Sequence, residues 1–512
     1  MRLPPLPQRF LGAALLIAAG MPLPLVAQRL EPVGAAERCD GRIIAGIEFV
    51  GTRRSLLGPR LDPVAGAVNS TMFALQPITR TRLVQRFLLL KEGDVCEEQR
   101  RVESERVLRA QPYLSDVAIR VLPHSADEVR LRVETIDEWV LYAEAWGVEG
   151  LPAGLEVGTG SVGGTGKGFR VLSELGRGGE LGAGAKYRDP QFFGRPVIFE
   201  ATISSRPLVD SWSLGLQRPL LTNFQRDSWT SLIASNRRFY TLFDPTLRSV
   251  TVEYEQNTAA FAGFRRLGPV NAPWHLSGTV EWERAQRRRV VQIRDDGPVD
   301  ITPPEEVALR YPVFEAARVG MGVSYRRLRY RPIRGLGALS APEDVTLGSD
   351  TWFSARFGIA ALQRDESDHV YGLGNTGAIG GEHALLRWNM GLSWNSPRLG
   401  AEDGEAGIDG RTTLALKVNE GHLTALRFSG TAKRNARVPT QVTLRDPEFG
   451  LLGFRNTDFG GAHRVVVGLE ERHRLPLSTR RAEVAWAFLS QAGRIWAGDA
   501  PFGRSSPWYA SV

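Results

Sequence analysis

The sequence predicts an antiparallel transmembrane β-barrel preceded by a small α+β domain. Three observations carry that expectation. From Trp139 onward, strand-like segments of about ten residues recur, the length that a tilted strand needs to cross a bilayer. Their residues alternate apolar and polar with the period of a sheet that has one apolar face. After Gln28 no apolar run reaches about 18 residues, so no membrane helix is expected to share the span.

Composition agrees. A length of 512 residues suggests about three domains, but one closed sheet can absorb most of it. Charged residues at 23% and hydrophobic residues at 42% exclude a disordered chain and a polytopic helical membrane protein. The formal charge of +8 comes mostly from Arg, without a Lys/Arg block of the nucleic-acid type, so no nucleic acid is expected as a partner. The basic excess either meets phosphates of outer-membrane lipid and lipopolysaccharide or reflects Arg-rich usage.

Residues 1–28 read as a signal peptide. Arg2 and Arg9 precede the apolar run Phe10–Gly20, Pro22 and Pro24 interrupt it, and Leu25-Val26-Ala27 closes it before Gln28. Residues 29–40 read as a linker. Export to an oxidising compartment favours a disulfide between the only two cysteines, Cys39 and Cys96, with two free thiols as the alternative.

Residues 41–139 form the small domain. Ile43–Gly51 has strand composition, and Thr79–Leu90 sets Leu83, Val84, Phe87 and Leu88 at helical spacing. Glu97–Ala110 does the same with Val102, Val107 and Leu108. Ser115–Leu122 and Glu128–Val133 alternate as strands about the turn-like His124–Asp127, which gives the order β-α-α-β-β.

Residues 140–512 carry the barrel. Leu386, Trp388, Met390, Leu392 and Trp394 share one strand face, opposite Arg387, Asn389, Gly391 and Ser393. Leu276, Val280 and Trp282 oppose Ser277, Thr279, Glu281 and Glu283; Val250, Val252 and Tyr254 oppose Thr251, Glu253 and Glu255. Trp212, Leu214 and Leu216 form another face, as do Val484, Trp486 and Phe488. A soluble sandwich also alternates, but Trp229, Tyr240, Trp274, Trp352, Trp388, Trp394 and Trp496 near strand ends suit an interfacial girdle. Arg287–Pro304, Arg334–Gly348 and Leu399–Gly410 are expected as external loops, and Asp189–Pro196 as a periplasmic turn. The stretch Leu444–His463 is Gly- and Asp-rich, yet Leu451, Leu452 and Phe454 at its centre predict burial inside the barrel.

Motifs for chemistry are missing. The seven His show no HExxH spacing and no Cys/His cluster. TGSVGG at 159–164 lacks the first Gly of a nucleophile elbow, and the glycine-rich 371–381 lacks a flanking βαβ pattern. No enzymatic activity, cofactor or metal is expected; a barrel hydrolase with Ser, His and Asp on separate strands is the alternative that motifs leave open.

Three separated motifs in the small domain, GIEFVGT at the first strand, LLLKEGD at 88–94 and LRAQPYLSDVAIRV at 108–121, resemble a single POTRA (polypeptide-transport-associated) domain. Arg53–Pro77 is then a long approach to its first helix. In the barrel, RDPQFFGRP at 188–196, LQRPLL at 216–221, LLGFRNTDFGG at 451–461, LEERHRLP at 469–476 and AFLSQAGRIW at 487–496 resemble the surface-antigen-type barrel of the BamA/TamA superfamily. The resemblance implies about 16 strands in the outer membrane, with the POTRA domain in the periplasm. It implies assembly or translocation of unfolded outer-membrane or secreted client proteins, through POTRA capture and a laterally gated barrel. A two-partner-type secretion channel and a passive outer-membrane pore are the alternatives.

The resemblance also makes Leu444–His463 the family's inward-folded loop. Its tetrad carries an Arg that meets an acid on the inner wall; here Gly453 and Phe454 match, Leu452 stands at the Arg position, and Gln491, two residues before Gly493, stands for the acid. Losing both charges together avoids leaving a buried ion unpaired. Docking through Leu452 and Phe454 is expected, with Gln491 toward the lumen and Arg455 as the replacement cation. Family barrels close with about three strands after the QAGRIW-type strand, so a chain stopping at Ser506–Val512 is expected to lack the last strands and to leave an unpaired edge.

Overall fold

The computed structural model describes residues 38–53 and 77–511, apart from single residues and short segments between elements, the longest being 476–483. The signal peptide expected at 1–28 and most of the linker lie outside the described residues.

The N-terminal domain comprises β1 (Asp40–Arg53), α1 (Thr81–Gln85), β2 (Val95–Glu97), α2 (Glu98–Arg109), β3 (Leu114–Pro123) and β4 (Glu128–Asp137). Its sheet runs β2-β1-β4-β3, with β1 parallel to β4. Alternation does the work in the paired strands: Val117, Ile119 and Val121 of β3 and Val129, Leu131 and Val133 of β4 all turn inward. Leu83 and Val84 of α1 and Val107 and Leu108 of α2 cover that face. Two expectations need correction. The first helix ends at Gln85, where the backbone passes to i→i+3 bonds from Phe87 N–H to Val84 and from Leu88 N–H to Gln85, and the Leu89 N–H then donates to Ser104 Oγ at 2.9 Å. A short strand, β2, lies between the helices, and pairing with β1 brings Cys96 to Cys39 in a disulfide with Cα atoms 5.0 Å apart.

The second sheet is a closed barrel. Its first half is Leu141–Val148 (β5), Leu151–Thr159 (β6), Gly168–Leu175 (β7), Leu181–Asp189 (β8), Ile198–Arg206 (β9), Val209–Arg218 (β10), Asp227–Leu242 (β11), Val250–Arg266 (β12) and Trp274–Arg294 (β13). Gly297–Asp300 (β14) extends the outer end of β13, and the short helix α3 (Glu305–Ala308) follows. The second half is Phe314–Arg334 (β15), Pro342–Gly358 (β16), His369–Gly380 (β17), Ala384–Ser396 (β18), Glu405–Asn419 (β19), His422–Arg434 (β20), His463–Arg474 (β21), Ala485–Trp496 (β22) and Tyr509–Ser511 (β23). The ring closes where β23 stands beside β5.

This corrects the expectation of about 16 strands: nineteen described strands join the sheet, with β23 standing between β22 and β5. The expected edge is covered only in part, because β23 pairs with β22 at Gln491–Gly493 alone and Ala485–Ser490 has no strand partner on that side among the described residues. The surplus comes from β14, which only extends a hairpin, and from β5–β10, whose short, Gly- and Ser-rich strands alternate faintly in sequence.

Closure gives each strand an inner and an outer face. Outward rows such as Val319, Met321 and Val323 on β15, Met390, Leu392 and Trp394 on β18, and Trp486 and Phe488 on β22 are exposed and apolar. Such a belt around the ring is what hydrocarbon requires. On β12 the apolar face of Val250, Val252 and Tyr254 turns inward, buried with Val307 and Tyr311. The girdle reading fails at two residues: Tyr240 packs in that same inner cluster, and Trp352 faces inward over Gly374, where a Cβ would come within 2.4 Å of its indole. Within Arg334–Gly348, the described residues form no external loop: Arg334 and Pro342–Gly348 belong to the paired β15–β16 hairpin at the N-terminal-domain end, called the near end below.

In the chain-entropy model the 57-residue separation of Cys39 and Cys96 makes their bridge worth about 4 kcal/mol. The double substitution Cys39→Ser/Cys96→Ser should therefore lower the urea concentration at which protease cleaves within residues 41–137. Barrel folding, read by heat-dependent gel mobility, should not change. Equal urea resistance of the two proteins would refute the stabilising role.

Candidate functional site

The candidate site is the barrel lumen and the chain that crosses it. Residues 435–462, between β20 and β21, turn inward instead of leaving the barrel. Leu444 and Leu451 are buried against Val466 of β21 and Ile495 of β22, with Phe454, Phe459 and Tyr509 packed around them. Gly493 makes room for this contact: a Cβ there would lie 2.8 Å from Leu444 Cδ2 and 3.3 Å from Leu451 Cδ2. The Leu452 N–H donates to Gln491 Oε1 at 2.7 Å.

The sequence-derived residues are thus brought together in part. Gln491 and Gly493 stand on the inner wall beneath the loop, and Phe454 packs on Tyr509 with ring centroids 5.1 Å apart. The Leu452 side chain does not dock; it is 69% exposed, and Leu451 and Leu444 fill the apolar socket instead. The backbone turns at Gly453, whose φ of 72° is the left-handed region that suits glycine, so neighbouring side chains point apart. Arg455 lies outside the described residues.

The cation that fixes the loop is on the wall. Arg464 of β21 is 2% exposed and sits 3.2 Å from Asp446 Oδ2 of the loop. It also donates to the Thr443 carbonyl and faces the Phe449 ring at 5.9 Å. The wall therefore supplies the base and the loop the acid, the reverse of the polarity that the resemblance implies. Parity alone marks Arg464 as inward once Val467 and Leu469 face lipid, but nothing in the sequence pairs it with Asp446.

The loop's other foot rests on a separate arc, around β15 and β16. Arg318 of β15, 1% exposed, donates to Asp368 at 2.7 Å, to Glu281 at 2.5 Å and to Glu283 at 3.0 Å. Arg437 of the loop reaches the second oxygen of Asp368 at 3.2 Å, and Arg356 reaches Glu281 at 2.6 Å. Gln441 continues the bridge, accepting from Phe243 N–H at 2.8 Å and donating to the Pro501 carbonyl at 2.6 Å.

At the near end the β15–β16 hairpin overshoots its neighbours. Tyr325 pairs with Trp274 at the start of β13, yet the hairpin runs on to Arg334 and Pro342. Its Ile333, Leu336 and Val345 pack on Ala378, Leu385, Ala415 and Leu423 of the wall. Arg472 of β21 donates to the Leu336 carbonyl at 2.8 Å. The N-terminal domain meets the same hairpin: the Arg106 guanidinium lies 3.9 Å over the Tyr330 ring, and Arg109 pairs with Asp344 at 3.1 Å. Further bonds run from Arg80 N–H to the Gly164 carbonyl and from Gln191 Nε2 to the Leu83 carbonyl, both 2.9 Å.

Strand register also assembles a group that sequence spacing hid. His422, Glu471 and His473 hold potential ligand atoms within 4.8 Å of one another. However, His422 stacks on His473 at 4.1 Å and His473 on Trp486 at 4.5 Å, each inclined by 20°. Lone pairs lie in the ring planes, so stacked rings direct them side by side and not at one ion. The group is an aromatic rim.

These features define a class: a membrane-spanning antiparallel β-barrel whose lumen is crossed by its own loop and whose near mouth is met by an N-terminal α+β domain. No protein-family model matches the sequence. No curated protein sequence matches it either. Among solved structures the chain is similar to BamA from Haemophilus ducreyi lacking POTRA domains 1–3, at 10% identity over 92% of this chain and 84% of that one, with a TM-score of 0.39. It is also similar to CdiB from Acinetobacter baumannii, at 11% identity over 92% and 73% with a TM-score of 0.41, and to CdiB from Escherichia coli, at 10% over 94% and 91% with 0.36.

Breaking a buried ion pair costs about 3 kcal/mol, enough to raise an open population roughly a hundredfold. The single variant R464D should therefore expose residues 445–462 to protease in the folded barrel. The double variant D446R/R464D should restore resistance by rebuilding the pair with opposite polarity. A double variant as labile as the single one would show that the pair does not hold the loop.

Proposed function

We propose that this chain is an outer-membrane protein of the BamA/TamA superfamily that assembles or translocates client polypeptides, with its N-terminal domain acting as a periplasmic POTRA module. The observation that carries this reading is the inward loop between β20 and β21, held to separate arcs of the wall through Asp446 on Arg464, Arg437 on Asp368 and Gln441 on Phe243. A loop so placed obstructs free diffusion through the lumen and can be displaced by a polypeptide. The sequence motifs at 88–94, 108–121 and 451–461 point the same way.

The N-terminal sheet offers a place for capture. β2 pairs with β1 only at Asp40 and Ile43, so from Glu48 to Arg53 the β2-side edge of β1 has no strand partner among the described residues. An extended client can add there by backbone hydrogen bonds. The opposite edge is less available, because Arg101 donates to the Ile119 carbonyl of β3 at 2.7 Å. The hairpin that meets this domain leads the client toward the lumen.

Depletion of the protein in its host separates the classes of function. Assembly or translocation predicts loss of particular outer-membrane or secreted polypeptides, with small-solute permeability unchanged. Altered solute permeability with an intact surface and secreted proteome would instead establish a passive pore.

A further inference from the structure

Between the loop and the hairpin lies a cavity of about 540 Å³, bounded by Phe449 on one side and Leu336 on the other. Its wall carries Arg387, Arg411, Arg427 and Arg472 from four consecutive strands, β18 to β21, and one carboxylate, Glu470. Four guanidiniums and one carboxylate thus share the lining. We propose that this chamber is a binding site for a multiply charged phosphate-bearing anion. The proposal rests on the chamber wall and not on the client-handling reading.

The register places the cations for one ligand. Arg387 pairs across with Thr413, and Thr413 with Arg427, so the two Arg occupy one row, two strands apart. At a strand spacing of about 4.8 Å their backbones stand about 10 Å apart, a span that two long side chains close around a diphosphate. Arg411 projects from the strand between them, one inward position nearer the loop, with its guanidinium 4.5 Å from the Phe449 ring. Parity directs all of them inward, because Leu392, Ile408, Leu426 and Val467 of the same strands form part of the outer belt.

The acid in the chamber is already committed. Glu470 is buried and is shared by Arg472, at 2.7 Å, and Arg427. Arg387 is exposed and has no acidic partner among the described residues. Guanidiniums gathered within low-dielectric walls raise each other's energy, and an anion removes that repulsion. Their planar forks bind phosphate oxygens in pairs, which favours phosphate over a monovalent halide.

The test uses the full chain in detergent, with pyrophosphate titrated calorimetrically at a fixed chloride concentration. Pyrophosphate should bind, Arg387→Gln and Arg427→Gln should each weaken binding about tenfold, and the double variant should abolish it. Arg237→Gln, on an exposed cation paired with Asp210, should leave binding unchanged. Heat-dependent gel mobility checks that each variant is folded. A second arm replaces pyrophosphate with lipopolysaccharide micelles. Loss of micelle binding in the same double variant, without pyrophosphate binding, would identify a lipid-borne phosphate as the source and support the site. Failure of both probes to bind, or equal binding by wild type and double variant, overturns it.

Discussion

In hydrocarbon an unpaired backbone amide or carbonyl has no water to satisfy it and costs several kcal/mol, so a membrane-spanning sheet must close on itself. Here the ring is completed where β23 stands beside β5. Once it is closed, alternate residues on each strand have only two destinations, and the other features follow from that division. β21 shows the consequence within one sequence, HRVVVGLEERHR. Val467 and Leu469 join the outer belt, while Arg464, Val466 and Glu470 furnish the ion pair, the loop socket and the chamber acid.

Charges that closure turns inward must find partners inside. Arg318 would be among the costliest residues in the molecule to bury alone; it is offset by Asp368, Glu281 and Glu283, and that excess of acid is shared outward with Arg356 and Arg437. Because Arg437 belongs to the loop, the network that neutralises one arc of wall also anchors the crossing segment. Arg464 solves the same problem on the other arc with Asp446. The loop therefore stands in place as counter-charge to both sides, in addition to the apolar seat of Leu444 and Leu451 on Gly493.

The sequence made the two-part architecture legible because it depends on local periodicity: β3, β4, β18 and β22 alternate cleanly, and the POTRA-like motifs are contiguous. It made Leu444–His463 legible as a buried loop because apolar residues sat where a surface loop has no use for them. It misassigned Leu452 because the turn at Gly453 decides which of two adjacent leucines enters the socket, and a backbone dihedral leaves no mark on composition. The side of the wall on which Val250, Val252 and Tyr254 lie is not legible for a related reason, since an inner face covered by other loops looks in sequence like a face covered by lipid. Asp446 with Arg464, Asp368 with Arg318, and the row of Arg387 and Arg427 all depend on register between strands or on a loop's path. Neither is encoded near the residues concerned.

The register also connects the two ends of the barrel. The hairpin that touches Arg106 and Arg109 of the N-terminal domain presents the Leu336 carbonyl to Arg472, and Arg472 bonds Glu470, which in turn holds Arg427. Arg427 lines the same chamber as Arg411, whose guanidinium lies over Phe449 of the loop. Contact continuity of this kind transmits nothing unless an element along it has two arrangements. Most strands are poor candidates, because long ladders hold them on both sides, as β12 is held by β11 and β13; the β22–β23 contact, three pairs at Gln491–Gly493, is the short exception. The hairpin tip and the loop can supply one, since each is held by a few ion pairs and a small apolar seat.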